Sequence, residues 1–412
     1  MQRVLLLVPT TTYRVGAFLA AARRLGVDVV VGSDQRQVFE SAVPDLMLTL
    51  DFRNVRGAVT EIERYAGRHP LNAVIGADDE TMHLASEVAQ VLGLRGSPPA
   101  AVEATRNKFR LRQILEAAGV SAPWHRLIGV EEDPVAAARA IEFPCVLKPT
   151  FLAASRGVIR ADDPGQFAAA HKRIAALLSD PKLQEYGGAE ARHLLVEEYL
   201  PGSEYAVEGL LSNGDLQVLA IFDKPDPLEG PYFEETLYVT PSRAPQEVSD
   251  RLVEQVERAL KVIGLTEGPV HAELRVGPGG AYLIDLAARA IGGRCSGVLR
   301  FGDNTSLEEL ILRQALGERV DGYECERVGA GVMMIPIPRT GVLREVHGVE
   351  AARAVEGIVS LELLLGKGQK VTALPEGYQY LGFIFARAPT AGAAEAALRK
   401  AHQCLGLEIV PG

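Results

Sequence analysis

Two carboxylates placed to share a cation are the first chemistry this sequence offers. The segment from His271 to Arg289 reads HAELRVGPGGAYLIDLAAR. If Pro278, Gly279 and Gly280 form a three-residue turn with Gly280 left-handed, Gly277 pairs with Ala281 and Glu273 falls directly opposite Asp285. Alternation then puts Ala272, Leu274, Val276, Tyr282, Ile284 and Leu286 on an apolar face, and His271, Glu273, Arg275, Asp285 and Arg289 on a polar one. Carboxylates opposed on one face repel by up to ~1 kcal/mol unless a cation lies between them. A hard divalent ion would relieve this: magnesium, or manganese in its place, takes one or two carboxylates beside substrate phosphates. A surface ion network with Arg275 and Arg289 would also neutralise the pair.

Other charged positions could serve the same chemistry. Lys148 ends the apolar run Phe143-Pro144-Cys145-Val146-Leu147, so its ammonium emerges at a strand end, and Lys108 opens a helix after Arg106 and Asn107. A solvated strand terminus is the plain alternative for Lys148. The loop Ala153-Ala154-Ser155-Arg156-Gly157 has the small residues, hydroxyl and guanidinium that a mobile phosphate cover needs. Glu197, Glu198 and Glu204 surround Leu200 and the Pro201-Gly202 turn, where acids could accept from an adenine amino group and ribose hydroxyls; ordinary solvated charges read equally well. Between Phe222 and Thr236 lies a Pro-locked loop with Lys224, five acids and the pair Tyr232-Phe233. Its acids could take the ammonium of a zwitterionic amino acid. Lys224, Glu234 and Glu235, with His271 from the hairpin, are the candidate substrate contacts.

These residues need elements to hold them. From Val4 to Leu94, short apolar runs (Val4 to Val8, Val27 to Val31, Leu46 to Leu48, Ala73 to Ile75) alternate with helical spacing (Ala17 to Leu25, Glu80 to Leu92), which predicts a parallel sheet covered by helices. The first turn, Pro9 to Arg14, lacks a dinucleotide fingerprint. Gly76-Ala77-Asp78-Asp79-Glu80 should lie at the carboxyl edge of that sheet, as a ligand contact or as acidic N-capping. Ser97-Pro98-Pro99 breaks the chain before a helix predicted over 100–118. Further helices are expected from Pro164 to Leu178, Gln246 to Ile263 and Ala391 to Leu405, with strands over Leu194 to Leu200 and Tyr205 to Leu211. The fold class is α/β, α+β in part, divided as 1–95, 96–320 with a small lid at about 124–199, and 321–412.

Composition narrows the partners. A net charge of −10 over 412 residues disfavours nucleic acid. Cys145, Cys295, Cys325 and Cys404 show no metal or disulfide spacing, and no apolar run reaches the ~20 residues of a membrane span. A cytoplasmic protein without membrane or nucleic-acid partners is expected, acting on small molecules, with a homodimer among the open assemblies.

In this order the pieces resemble the ATP-grasp superfamily: the helical lysine in RNKFRLRQILEAAGV, the strand lysine in FPCVLKP, the loop ASRGV, the hinge VEEYLPGSEYAVEG, and the acidic hairpin ending in arginine. HAELRV with ARAIGG, and GAGVMMIPIPRTGVLREV with YLGFIFA, look most like the L-amino-acid ligases and their uncharacterised relatives. The resemblance implies a Rossmann-like N-terminal domain, a central nucleotide-binding domain and a C-terminal α+β domain. It implies an ADP-forming carboxylate-amine ligase that makes an amide or peptide bond through an acylphosphate. Lys108 and Lys148 would hold ATP phosphates under the loop of Ser155, Arg156 and Gly157. Glu197, Glu198 and Leu200 would flank the adenine, and Glu204 would lie near the ribose. Glu273 and Asp285 would bind magnesium, and Arg289 would face the reacting carboxylate. Where the superfamily usually shows Glu-x-Asn-x-Arg, this chain has Asp285-Leu286-Ala287-Ala288-Arg289. Rival readings are a carboxylase or carbamoyl-type enzyme, and a nucleotide-binding regulator without catalysis.

Overall fold

Strand β1 (Arg3–Val8) is apolar on both faces, and Val4 to Val8 are all buried, as a central strand covered on two sides must be. A computed structural model describes residues 2–10, 12–35 and 46–412 of the chain. Thr11, within the first predicted turn, lies outside the described residues. β1 pairs in parallel with β2 (Asp28–Ser33), which pairs with β3 (Met47–Thr49), and on its other edge with β4 (Ala73–Gly76). The order β3-β2-β1-β4 is the parallel sheet expected from the alternating rhythm. Helices α1 (Val15–Leu25), α2 (Val55–Ala66) and α3 (Asp79–Leu92) belong to this unit; α2 was not anticipated.

The helix predicted over 100–118 is two helices, α4 (Pro99–Arg106) and α5 (Lys108–Ala117). Asn107 between them is extended (φ −110°, ψ 106°), and its side chain accepts from the backbone N–H of Arg110 at 2.9 Å. Asparagine competes for backbone partners and so favours a cap over a helix interior. The Lys108 amide, released from α4, donates to the Thr150 carbonyl at 2.9 Å.

A second, smaller sheet lies within residues 124–199, the segment expected as a lid. Strands β5 (His125–Gly129), β6 (Cys145–Pro149), β7 (Ile159–Ala161) and β8 (His193–Glu198) form a sheet in the order β5-β8-β6-β7. Short helix α6 (Pro134–Ala138) and α7 (Pro164–Leu178) cover it, with Phe167, Ile174 and Leu178 packed on Leu147 and Val196, and α8 (Pro181–Gly187) follows.

The main body is an eight-stranded sheet containing β9 (Ser203–Ser212), β10 (Asp215–Lys224), β11 (Leu237–Thr240), β12 (Gly268–Gly277) and β13 (Gly280–Ala287), with α9 (Gln246–Ile263) and α10 (Leu307–Ala315). After α10 come β14 (Gly329–Ile335), β15 (Gly341–His347), α11 (Val349–Arg353), β16 (Ile358–Leu363), β17 (Lys370–Val371), β18 (Gly382–Ala388), α12 (Ala391–Gln403) and β19 (Gly406–Val410). The large sheet runs β13-β12-β9-β10-β11-β14-β18-β16, so it crosses the boundary expected at residue 320 through the β11–β14 pair. Strands β17, β15 and β19 form a separate small sheet.

Candidate active site

The acidic hairpin is the register's hardest test. Glu273 does pair with Asp285, but the turn has two residues, because Gly277 pairs with Gly280. Gly280 takes the positive φ that was expected (120°). A bulge between Glu273 and Leu274 on one side, Asp285 and Leu283 on the other, restores the alignment. One extra residue also reverses the alternation beyond it. Leu283 is therefore fully buried opposite Leu274, and Tyr282 joins Arg275 on the other face. Ile284, assigned by the sequence pattern to the core side, lines a cleft beside Asp285.

That cleft, about 810 Å³ and open to solvent, lies between the lid sheet and the main sheet. Lys108, Lys148, Ser155, Glu197, Glu198, Leu200, Glu204, Lys224, Glu235, Glu273 and Asp285 all line it. At one end the Lys108 ammonium lies 3.0 Å from Asp285, and Lys148 lies 2.5 Å from Glu197. Glu197 also accepts from Arg112 at 2.6 Å, and it is 3% exposed. Burial pushes its carboxyl up, but Arg112 and Lys148 outweigh that and hold it below the usual range. Burial lowers the Lys148 ammonium against the pull of Glu197, and Arg112 and Lys108 push the same way as burial. Pro123, Val146, Leu152, Leu200 and Ile284 give apolar walls suited to a flat ring.

At the other end Lys224 is buried among three carboxylates: 3.1 Å from Glu235, 3.1 Å from Glu273, and bonded to Glu204. Burial would lower this ammonium, yet the three acids hold it well above its ordinary value. The Tyr238 hydroxyl donates to Glu273 at 3.0 Å and the Tyr380 hydroxyl to Glu235 at 3.3 Å. In this coupled pair burial raises both acids. Lys224 and His271 nevertheless keep Glu273 well below the usual range, while burial and the neighbouring Glu273 hold Glu235 above it. The second Glu204 oxygen takes Arg275 at 2.9 Å, and Arg275 also donates to the Leu200 carbonyl at 2.8 Å. Glu204 thus braces two cations.

Five expected contacts lie outside this cleft. His271 sits behind Glu273, bonded through Nδ1 to Glu208; burial pulls its imidazole down, but Glu208 raises it to about 10. Arg156 and Gly157 turn toward the C-terminal unit, where the Arg156 Nε donates to the Glu376 carbonyl at 3.0 Å and the Gly157 amide to the Pro375 carbonyl at 2.8 Å. Gly157 has φ 73°, and an added Cβ would stand 2.9 Å from Pro149, so no other residue fits without a shift. Glu234 lines a small neighbouring cavity with Ala154, Ile337, Tyr378 and Tyr380. Arg289 follows β13 and pairs with Asp79 at 2.8 Å, at the first turn of α3.

Sequence reading missed Arg112, Glu208, Tyr238 and Tyr380. Arg112 had a signal: it stands four residues after Lys108 on α5, so both share a helix face, beside the buried Leu111 and Leu115. The others become neighbours of the site only through sheet pairing.

The donor set fits a hard cation. Glu273 and Asp285 bring oxygens to the cleft from opposed positions, and each is held by an ammonium, Lys224 and Lys108 respectively. Ala287, opposite His271, adds no oxygen. Magnesium held by Glu273 and Asp285 would neutralise nucleotide phosphates there.

A family model of the ATP-grasp domain matches residues 141–298, and one of the ATP-grasp N-terminal domain matches 19–96. The chain belongs to the ATP-grasp superfamily. Its last part, residues 333–410, matches the L-amino acid ligase C-terminal domain 2. This ATP-grasp chain is 22% identical over its full length to the uncharacterised protein y4rH of Sinorhizobium fredii, covering 84% of that protein. It is 30% identical over 247 residues to the alanine–anticapsin ligase of Bacillus subtilis, across 57% of this chain but 52% of the ligase, so the match spans about half of that relative. Its fold superposes on the L-amino acid ligase of Bacillus licheniformis with a TM-score of 0.83, at 24% identity, over 100% of this chain and 99% of that one.

Proposed function

We propose that this ATP-grasp protein is an ADP-forming, magnesium-dependent carboxylate-amine ligase that joins amino acids. The observation carrying the reading is one cleft with Lys108 and Lys148 against Asp285 and Glu197 at one end and Lys224 among Glu204, Glu235 and Glu273 at the other. A carboxylate substrate attacks the γ-phosphate and ADP leaves, an amine then attacks the carbonyl of the resulting acylphosphate, and phosphate leaves as the amine gives up a proton. This chain's work is positioning and charge neutralisation. Lys108 and Lys148 take phosphate oxygens, Ser155 covers them, and Val146, Glu198 and Leu200 bound the adenine. Glu197 acts from behind, holding Lys148. Lys224, Glu234 and Glu235 shape the amino-acid end with His271 behind them, and Arg289 steadies the tetrahedral oxyanion.

The relatives named as ligases and the matched C-terminal domain favour amide formation over carboxylation. A cytosolic setting is part of the proposal: among the described residues no helix is long and apolar enough to cross a membrane, and the four cysteines are free. A screen of amino-acid pairs for phosphate release, with ADP and AMP distinguished, tests the reading. ADP should accumulate only when a carboxylate and an amine partner are both supplied. AMP, or turnover that requires bicarbonate, would overturn it.

A further inference from the structure

Arg112 is fully buried, yet no substrate-facing role accounts for it. Its Nε donates to Glu197 Oε1 at 2.6 Å, and Glu197 Oε2 faces the Lys148 ammonium at 2.5 Å. Its Nη2 donates to the Ile284 carbonyl. Ile284 precedes Asp285, which holds Lys108, the first residue of the helix that carries Arg112. One guanidinium therefore ties α5, the lid strand β8 and the acidic hairpin together.

Charge bookkeeping shows what this does. Lys108, Lys148 and Arg112 bring three positive charges, Glu197 and Asp285 two negative ones, so one positive charge is in excess. Without Arg112 the two lysines would be matched by the two carboxylates. Glu197 could then turn both oxygens on Lys148. A buried ammonium already satisfied by its own carboxylate has little left for a phosphate. An arginine kept only for packing would also be poorly chosen, because its Nη1 is buried with no partner in the protein.

We propose that Arg112 is a positioning residue, which keeps Lys148 available to nucleotide phosphate by sharing Glu197 with it. This rests on the nucleotide reading of the cleft and is independent of which substrates are joined. The test is calorimetric binding of ADP and a non-hydrolysable ATP analogue to the full chain with magnesium and no amino acid, alongside thermal unfolding. Arg112→Met should weaken nucleotide binding by roughly tenfold or more. Combining it with Glu197→Gln, which restores the one positive charge in excess, should recover much of that loss. Arg112→Lys should bind better than Arg112→Met. If Arg112→Met does not fold, Arg112→Gln, neutral but still able to donate to Glu197, takes its place with the same expectation. Unchanged affinity in a folded neutral variant, or a double variant no better than the single one, would overturn the proposal. A failed amino-acid screen with these binding results intact would count against the ligase reading and leave Arg112's role standing.

Discussion

Glu273 gathers several partners in the cleft: Lys224 and Tyr238 contact it directly, and the His271 Nε2 lies 3.6 Å away. It stays ionised because two cations outweigh its burial. Glu273→Gln removes the negative charge while keeping the shape, so the magnesium concentration needed for half-maximal phosphate release should rise steeply; a magnesium titration of the variant checks this, and an unchanged curve would remove Glu273 from the metal site. Arg289 poses the opposite case. It stands outside the nucleotide cleft, held by Asp79. Arg289→Ala should cost ~3 kcal/mol in the ligation step, a loss of roughly a hundredfold or more in turnover. Nucleotide affinity, read by calorimetry, should stay near that of the parent, and a large drop would contradict the oxyanion role.

At the scale of elements, the loop 153–157, proposed to cover phosphate, is set by what lies beyond it. Ala154 and Ser155 both take left-handed backbone (φ 53°), a conformation that costs non-glycine residues of order 1–3 kcal/mol each. The loop is held there from the C-terminal unit: Arg156 and Gly157 donate to the carbonyls of Glu376 and Pro375, Arg156 stacks 4.8 Å from the Tyr378 ring centroid, and Arg173 on α7 grips Glu376 with bonds of 2.5 and 2.9 Å. This latch joins the lid to the loop before β18. The Arg173 bond holds the Glu376 carboxyl below its ordinary value, against a smaller opposing effect of burial. Its folded pKa is depressed, so the contribution is complete above the unfolded carboxylate value and fades as pH falls through the folded one. Relative to its intrinsic rate, hydrogen exchange of residues 153–157 should therefore accelerate as pH falls below the usual carboxylate range. In Glu376→Gln it should be fast already at neutral pH, with a raised KM for ATP. Equal protection in parent and variant would show that the latch does not hold the loop.

At the scale of the whole molecule, the N-terminal sheet is part of the site's frame. Its core residues Val4, Leu6 and Phe18 pack in one cluster with Phe222, Tyr238, Ile291 and Leu310 of the main body. Arg14 donates to the carbonyls of Ala290 and Ile291 at 3.1 and 2.6 Å and lies 3.3 Å from Asp78, while Asp79 takes Arg289. The carboxyl edge of the first sheet thus holds the arginine that follows the acidic hairpin: the Asp78 N–H donates to Thr81 Oγ1 at 3.3 Å at the start of α3, and Asp79 reaches across to Arg289. Asp79→Asn should lower kcat by about tenfold through a loosened Arg289, with KM for ATP little changed. Steady-state kinetics separates the two, and a rise confined to KM would place Asp79 elsewhere in the mechanism.

The amino-acid sequence by itself determined the elements and the chemical types. Periodicity marked β1, β4, α7 and α9 closely, since each has one strong apolar pattern and clear caps or breakers. The ordered run of lysines, hinge acids and acidic hairpin named the superfamily, because every piece is local in the chain. Even the Glu273–Asp285 pair was legible, although the two-residue turn and the bulge compensate each other in a way that alternation cannot reveal. What only the tertiary structure decided is which of these charges are free to meet a ligand. Glu197 looked like an adenine contact, and packing made it the shared partner of Arg112 and Lys148. Glu204 looked like a ribose contact and became the brace of Lys224 and Arg275. Arg156 looked like a phosphate ligand and holds the latch instead. The reason is physical: a buried charge must find its partner wherever the fold brings one, and the partners lie 20, 49, 71 and 85 residues away in the chain for the pairs Glu204–Lys224, Glu197–Lys148, Glu204–Arg275 and Glu197–Arg112, and 220 for Arg156 and the Glu376 carbonyl, separations that only the tertiary fold closes.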